Sequence, residues 1–218
     1  MPHWRETRGI TIRSMFIQPH DRVDDEVRWR AFLVGQGFGH LVAAGVARAL
    51  PVVVPTQYVV DGDAILIHVL AANPIVEALA ENPRALLSVA GDWAFIPGAW
   101  KAIGDEDPRW GIPTTYYGAV QVAGACTIET RPEAIAELLR AQVAAIDPSG
   151  DYVDPIEHGA KLRAIRGIRL EIEEVRAKFK YGGNVDQLHR DAVGERLLER
   201  KAPGDAAAVA HLRATRGQ

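Results

Sequence analysis

Apolar and polar positions change period several times along the chain, and each change marks an element. Residues 1–14 read as an extension, and Met15 begins the first stretch with folded character. Asp24 or Asp25 is placed to cap a helix whose apolar positions Val27, Trp29, Phe32 and Leu33 run to about Gly35. Strand-like runs follow over residues 40–46, 52–60 and 65–70, the last two joined by the hairpin signal Asp61-Gly62-Asp63. Asn73-Pro74 then opens a helix carrying Ile75, Val76 and Leu79, with Asn as cap and Pro at the first helical position.

Further on, residues 86–90 and 94–96 read as strand, and residues 97–113 as a loop bearing Trp100, Lys101 and Trp110. A strand over residues 117–128 contains Gly124, which suggests a bulge. The capping box Thr130-x-x-Glu133 predicts an amphipathic helix through Ile135, Leu138, Leu139, Val143 and Ile146. Asp154-Pro155-x-Glu157 predicts a shorter one, and Ile168, Leu170 and Ile172 alternate as a closing strand. Two C-terminal helices follow, near residues 188–198 and from Asp205 onward. The chain lacks regular βαβ alternation, so an α+β antiparallel barrel with peripheral and C-terminal helices is expected, not a doubly wound sheet. Residues 15–185 form the barrel domain in this reading, with residues 186–218 packed on it.

Composition narrows the function. The 218 residues are 48% hydrophobic, enough for one well-cored domain with a helical appendage. The 25 Lys+Arg stand against 28 Asp+Glu, a net charge of −3 that argues against a general nucleic-acid coat. A single cysteine, Cys126, excludes an intramolecular disulfide and a cysteine-based zinc site. It lies in an alternating apolar stretch and reads as a small buried hydrophobe. No run reaches the length of a membrane-spanning helix and the Arg-rich start lacks a secretory apolar region, so a cytoplasmic protein is expected.

Three clusters carry candidate chemistry. His68 ends a strand just before the capped helix start at Asn73, where first-turn amides suit a phosphate; an ordinary strand-to-helix junction gives the same pattern. Lys178 and Lys180 share one strand face by period two and precede the turn Tyr181-Gly182-Gly183-Asn184. A solvated strand end is the plain alternative. Aromatics at residues 93–100 and 112–117 can wall a flat ring or form a core seam. The seven histidines show no metal-ligand spacing, and no Walker loop, nucleophile elbow or dinucleotide fingerprint is present. Residues 185–218 hold six Arg/Lys against five Asp/Glu, so a helix-turn-helix reading gives only a weak DNA footprint.

In order along the chain, Met15-Phe16-Ile17-Gln18-Pro19, His68…Asn73-Pro74, Phe95-Ile96-Pro97-Gly98-Ala99-Trp100, Ile112-Pro113-Thr114-Thr115-Tyr116-Tyr117 and Lys178-Phe179-Lys180-Tyr181-Gly182-Gly183-Asn184 resemble motifs of one family. It is the PaiB-like family of FMN-binding negative transcriptional regulators, within the pyridoxamine 5'-phosphate oxidase-like split barrels. The resemblance runs from about Met15 to Leu198. Thr115-Tyr116 replaces the family's Trp-Asn, and Gly182-Gly183 replaces Ser-Gln. The resemblance implies a homodimer with FMN at the subunit interface. It implies a phosphate near His68, Asn73, Lys178 and Lys180, the ring beside Val54, Pro55 and Thr56, and closure by Trp100, Thr114 and Asn184. Two functions follow from it: a redox protein passing electrons between NAD(P)H and a small acceptor, or a flavin-responsive regulator that binds DNA. A deazaflavin or haem is the alternative ligand.

Overall fold

A computed structural model describes residues 15–46 and 48–215; the expected extension over residues 1–14 lies outside the described residues. The chain runs α1 (Glu26–Gln36), β1 (Phe38–Ala43), β2 (Val52–Gln57), β3 (Val59–Asp61), β4 (Ala64–Leu70), α2 (Pro74–Glu81) and β5 (Arg84–Ile96). After short 3-10 turns come β6 (Thr114–Glu129) and α3 (Pro132–Ile146), then a kinked 3-10 segment, Pro155–Ala164. β7 (Ile165–Glu171), β8 (Glu174–Lys180), α4 (Gln187–Arg200) and α5 (Asp205–Ala214) complete it.

The ladders are antiparallel and run β2-β1-β5-β6-β7-β4-β3, with β8 also paired to β6. The two ends of this path, β2 and β3, are consecutive in the chain and separated only by Tyr58. The sheet therefore curls until its ends meet at a corner of the chain, which is a split barrel. The single strand expected over residues 52–60 breaks there for a physical reason. The Tyr58 amide donates to Gly37 O (3.1 Å) and its hydroxyl to Leu33 O (2.7 Å), so α1 takes both groups and the residue leaves the ladder.

β6 is the long strand that the others share. On one edge it pairs with β8 through Tyr117–Ala123, then with β7 through Cys126–Glu129. Gly124 sits at the switch, where the Glu171 carbonyl oxygen lies 1.8 Å from the position a Cβ would take. It is a crossing point, not the expected bulge; its pairing with Ala85 of β5 is unbroken. The bulge is on β5, between Gly91 and Ala94. The expected Thr130 cap is also displaced. Arg131 occupies the N-cap of α3 without a side-chain bond, because Pro132 starts the helix one residue later.

Leu41, Ile65, Ile67, Leu87, Val120, Val122, Ile168 and Leu170 fill the barrel. Ile75 and Leu79 of α2 and Trp29, Phe32 and Leu33 of α1 close it. Val193 and Leu197 of α4 and Val209 and Leu212 of α5 belong to the same core, so the C-terminal helices are packed on the barrel. Cys126 is buried, and burial pushes its thiol up to about 12, which leaves it protonated and inert.

Candidate functional site

Alternation along β8 decides the site. Ala177 and Phe179 point into the core, so Arg176, Lys178 and Lys180 share the outer face. The segment before α1 runs beside this strand: Val23 N–H donates to Ala177 O (3.2 Å), and Arg22 forms a bridge with Lys178. That path brings His20 and Asp21 to the lysines. Lys101 arrives from the loop after β5, Thr114 from the start of β6 and Asn184 from the turn after β8. Together they line a cavity of about 380 Å³ with Tyr116 at its base. Lys180 Nζ donates to Thr114 Oγ1 (2.8 Å) and Lys178 Nζ to Phe16 O (3.1 Å). Both ammonium groups also lie over the Tyr117 ring, at 5.9 and 5.5 Å.

The charges in this cavity are unbalanced. Lys101, Lys178 and Lys180 face one carboxylate, Asp21, which is 3% exposed. Burial pushes the Asp21 carboxyl up, while His20, Lys178 and Lys180 pull it back. Burial, and then the neighbouring Lys180, holds the Lys101 ammonium below its usual range. A further cation lies behind the wall. Arg190 is 1% exposed, donates to Thr215 O (2.7 Å) and to Gln187 Oε1, and keeps an orphaned Nε. An anion entering this cavity would therefore be attracted by several desolvated positive groups.

The Gly182-Gly183 departure has a geometric cause. Gly182 has φ +74°, and a Cβ there would lie 2.7 Å from the Tyr116 hydroxyl. At Gly183 a Cβ would lie 2.3 Å from His20 O. The turn is glycine so that the His20 segment and Tyr116 can close on it. Tyr116 itself is 3% exposed and packs edge-on against Tyr181, with centroids 6.0 Å apart.

The structure brings together Lys178, Lys180, Thr114 and Asn184, but not the other expected residues. His68 and Asn73 do not join the lysines in a single phosphate site. His68 faces outward beneath α3. Its Nδ1 pairs with Gln142 Oε1 at 2.6 Å, and Gln142 Nε2 donates to Leu66 O, so the imidazole is the donor. Asn73 Oδ1 is used in capping α2 through Ile75 N–H. His68 pairs with Gly167, which pairs with Glu129, whereas Lys180 pairs with Tyr117. From Tyr117 to Glu129 the strand runs roughly 40 Å. Trp100 also lies apart from the cavity, under the Arg200 guanidinium at 4.8 Å.

Val54, Pro55 and Thr56 lie on β2, four ladder steps from β8 or about 19 Å across the sheet. Val54 packs against the core, and Thr56 is buried with its hydroxyl donating to Gln57 O. Pro55 faces outward opposite His40. His20, Asp21, Lys101 and Arg190 were not singled out from sequence for this site. Only the basic character of Lys101 and its place in the aromatic loop hinted at it.

The loop that carries Lys101 is tied to α4 by Arg196, which donates to Ala99 O and Ala102 O, and by a histidine. His189 pairs through Nδ1 with Asp186 (2.7 Å) and through Nε2 with Glu106 (3.0 Å). Glu106 and then Asp186 hold its pKa above the usual 6.5. A raised folded-state pKa means that the tie stabilises fully below pH 6.5 and is lost as pH rises through the folded value. Amides near Ile103, whose N–H donates to Glu106, are expected to exchange faster above that value once intrinsic rates are corrected. His189→Gln should remove this pH dependence; an unchanged profile in the variant would show that another group controls the loop.

Among the described residues no cluster of metal-ligating side chains exists, and no helix is long and apolar enough to cross a membrane. The fold is shared with known structures. The FAD and haem binding protein from Mycobacterium smegmatis is 18% identical, with a TM-score of 0.61 over 80% of each chain. The flavocytochrome Anf3 from Azotobacter vinelandii is 20% identical, with a TM-score of 0.58 over 77% of this chain and 73% of its own. None of the curated proteins matches the chain. The family described as "Putative FMN-binding domain" matches residues 15–174, from the segment that carries His20 and Asp21 through β7 to the start of β8, and the chain belongs to that family.

Proposed function

We propose that this protein is a flavin-binding redox protein that holds FMN with its phosphate among Lys101, Lys178 and Lys180, between two copies of the chain. The observation that carries this reading is the convergence of three lysines on a cavity holding a single buried carboxylate. Three positive charges and one negative leave a surplus that matches a phosphate dianion. Thr114 and Asn184 add neutral hydrogen-bonding groups at the same place.

The cavity is too polar in its lining to hold an isoalloxazine ring, which needs flat apolar walls. Those walls lie alongside it. On the outer sheet face, Tyr117 and Ala119 of β6 adjoin Ala90 of β5, and beyond them stand Phe38, Val42, Val53 and Pro55. Phe38 is 55% exposed and Val53 51%. A second copy covering this face would remove that apolar area from water and wall the ring from above.

FMN, when bound, supplies hydride and single-electron transfer; the chain supplies binding, orientation and the electrostatic field. The lysines anchor the phosphate, and His20 and Asp21, 3.8 Å apart in the same cavity, are the titratable pair beside it. NAD(P)H is the electron donor in this reading and a small molecule the acceptor.

The test is the visible spectrum of purified protein, followed by FMN titration under fluorescence detection and light scattering of the complex. Saturable quenching at one FMN per subunit in a dimeric particle supports the proposal, and NAD(P)H oxidation is the next assay. A Soret band would replace flavin by haem. A colourless protein that ignores FMN overturns the reading.

A further inference from the structure

A larger cleft, of about 930 Å³, lies away from the lysines, between α1, α5 and the bulge of β5. Its centre is Asp92, a non-glycine residue at φ +51° within the bulge. Side chains rarely tolerate that conformation, and the surroundings enforce it from three directions. Asp92 Oδ1 accepts from Gln36 Nε2 (2.9 Å), Oδ2 pairs with His211 Nε2 (2.8 Å), and the backbone carbonyl accepts from the Tyr181 hydroxyl (2.9 Å). Both carboxylate oxygens are therefore already engaged. The His211 ring is held flat against Tyr181, centroids 4.7 Å apart at 21°, and its Nδ1 makes no hydrogen bond among the described residues.

Beside this pair stands Arg28. Its guanidinium lies 4.8 Å over the Phe179 ring and donates to Thr215 Oγ1 (3.3 Å). No carboxylate among the described residues comes within ion-pair distance of it. Asp92 is taken, and Asp25 Oδ1 caps α1 by accepting from Val27 N–H. Burial pushes the Arg28 pKa down, and the nearby Asp25 charge pulls it back only in part. Val27, Ala31, Phe32 and Ala214 supply apolar walls around it.

We propose that this cleft is a second ligand site, which takes a small carboxylate with an apolar body. The planar carboxylate meets the Arg28 fork, and the body lies against Val27, Ala31 and Phe32, with the His211 ring as a further wall. Asp92 and Gln36 are positioning residues that fix the imidazole. The site shares no lining residue with the lysine cavity, so it stands whether or not flavin binds there.

Benzoate is the probe, and benzamide its uncharged isostere. Each is titrated into the full chain while backbone amide resonances are followed by NMR, with and without FMN. Benzoate is expected to give saturable shifts confined to α1, α5 and the β5 bulge, and benzamide none of comparable strength. Arg28→Gln should weaken benzoate by at least about tenfold. Arg28→Lys keeps the charge but loses the planar fork, so it should still weaken benzoate, by less than the glutamine variant does; it carries the comparison if the glutamine variant melts early. The proposal is overturned if benzoate produces no saturable shifts, if the shifts map to Lys101, Lys180 and Asn184, if benzamide binds equally well, or if neither Arg28 variant changes the affinity.

Discussion

Replacing Lys178 and Lys180 together by glutamine is expected to lower FMN affinity by about 100-fold, while affinity for riboflavin, which lacks the phosphate, stays where it was. Each lysine removes a charge-assisted hydrogen bond worth about 1.5–3 kcal/mol, and about 1.4 kcal/mol is tenfold in affinity. The pair costs at least two factors of ten. Flavin fluorescence titrations of wild type and variant with both ligands make the measurement. Lys178 also holds the Phe16 carbonyl and Lys180 the Thr114 hydroxyl, so melting curves must accompany the titrations. The riboflavin control separates the two effects, since a loosened fold would weaken both ligands. Equal FMN affinity in the double variant would remove the phosphate from this cavity.

Phe179→Ala is expected to be the most damaging single truncation, at about 3–5 kcal/mol. The ring is 1% exposed and lies at the junction of three elements. It packs edge-on against Phe32 of α1 at 5.2 Å and against His211 of α5 at 5.2 Å, and it carries the Arg28 guanidinium. Its loss leaves a cavity that the backbone of β8, held by its ladder to β6, cannot collapse to fill. For a chain of this size the melting temperature should fall by about 10 °C. Urea unfolding with an unchanged m-value gives the free energy directly. A loss below about 1 kcal/mol would mean that α1 and α5 repack over the gap, and that the Arg28 cleft is far softer than its contacts indicate.

These two variants bear on adjacent residues of one strand, and β8 shows where sequence reasoning succeeds. Period two puts Lys178 and Lys180 on one face and Phe179 on the other whatever the strand pairs with, so the split between outer face and core face was legible. Local chemistry was legible too. Asn73 and Asp154 cap their helices as their side chains dictate, and Gly62 turns the β3–β4 hairpin. Asp25, not Asp24, caps α1. The same local logic misplaced the cap of α3, because Pro132 competes with Thr130 and its fixed φ wins.

What the sequence by itself determined is therefore the approximate place of most strands and helices, the alternation of faces within them, and the basic pair that marks the candidate site. Only the tertiary structure decided which of those faces meet. His68 and Asn73 looked like partners of the lysines because both suit a phosphate, yet β6 separates them by roughly 40 Å of strand. His20, Asp21, Lys101 and Arg190 came to the lysines from three other segments, and Asp92 of β5 met His211 of α5. Alternation and capping act between residues a few positions apart and are written into the local chain. The convergence of a site depends on which distant strands pair and where β6 changes partner, and that is settled by burial and close packing of the whole barrel at once.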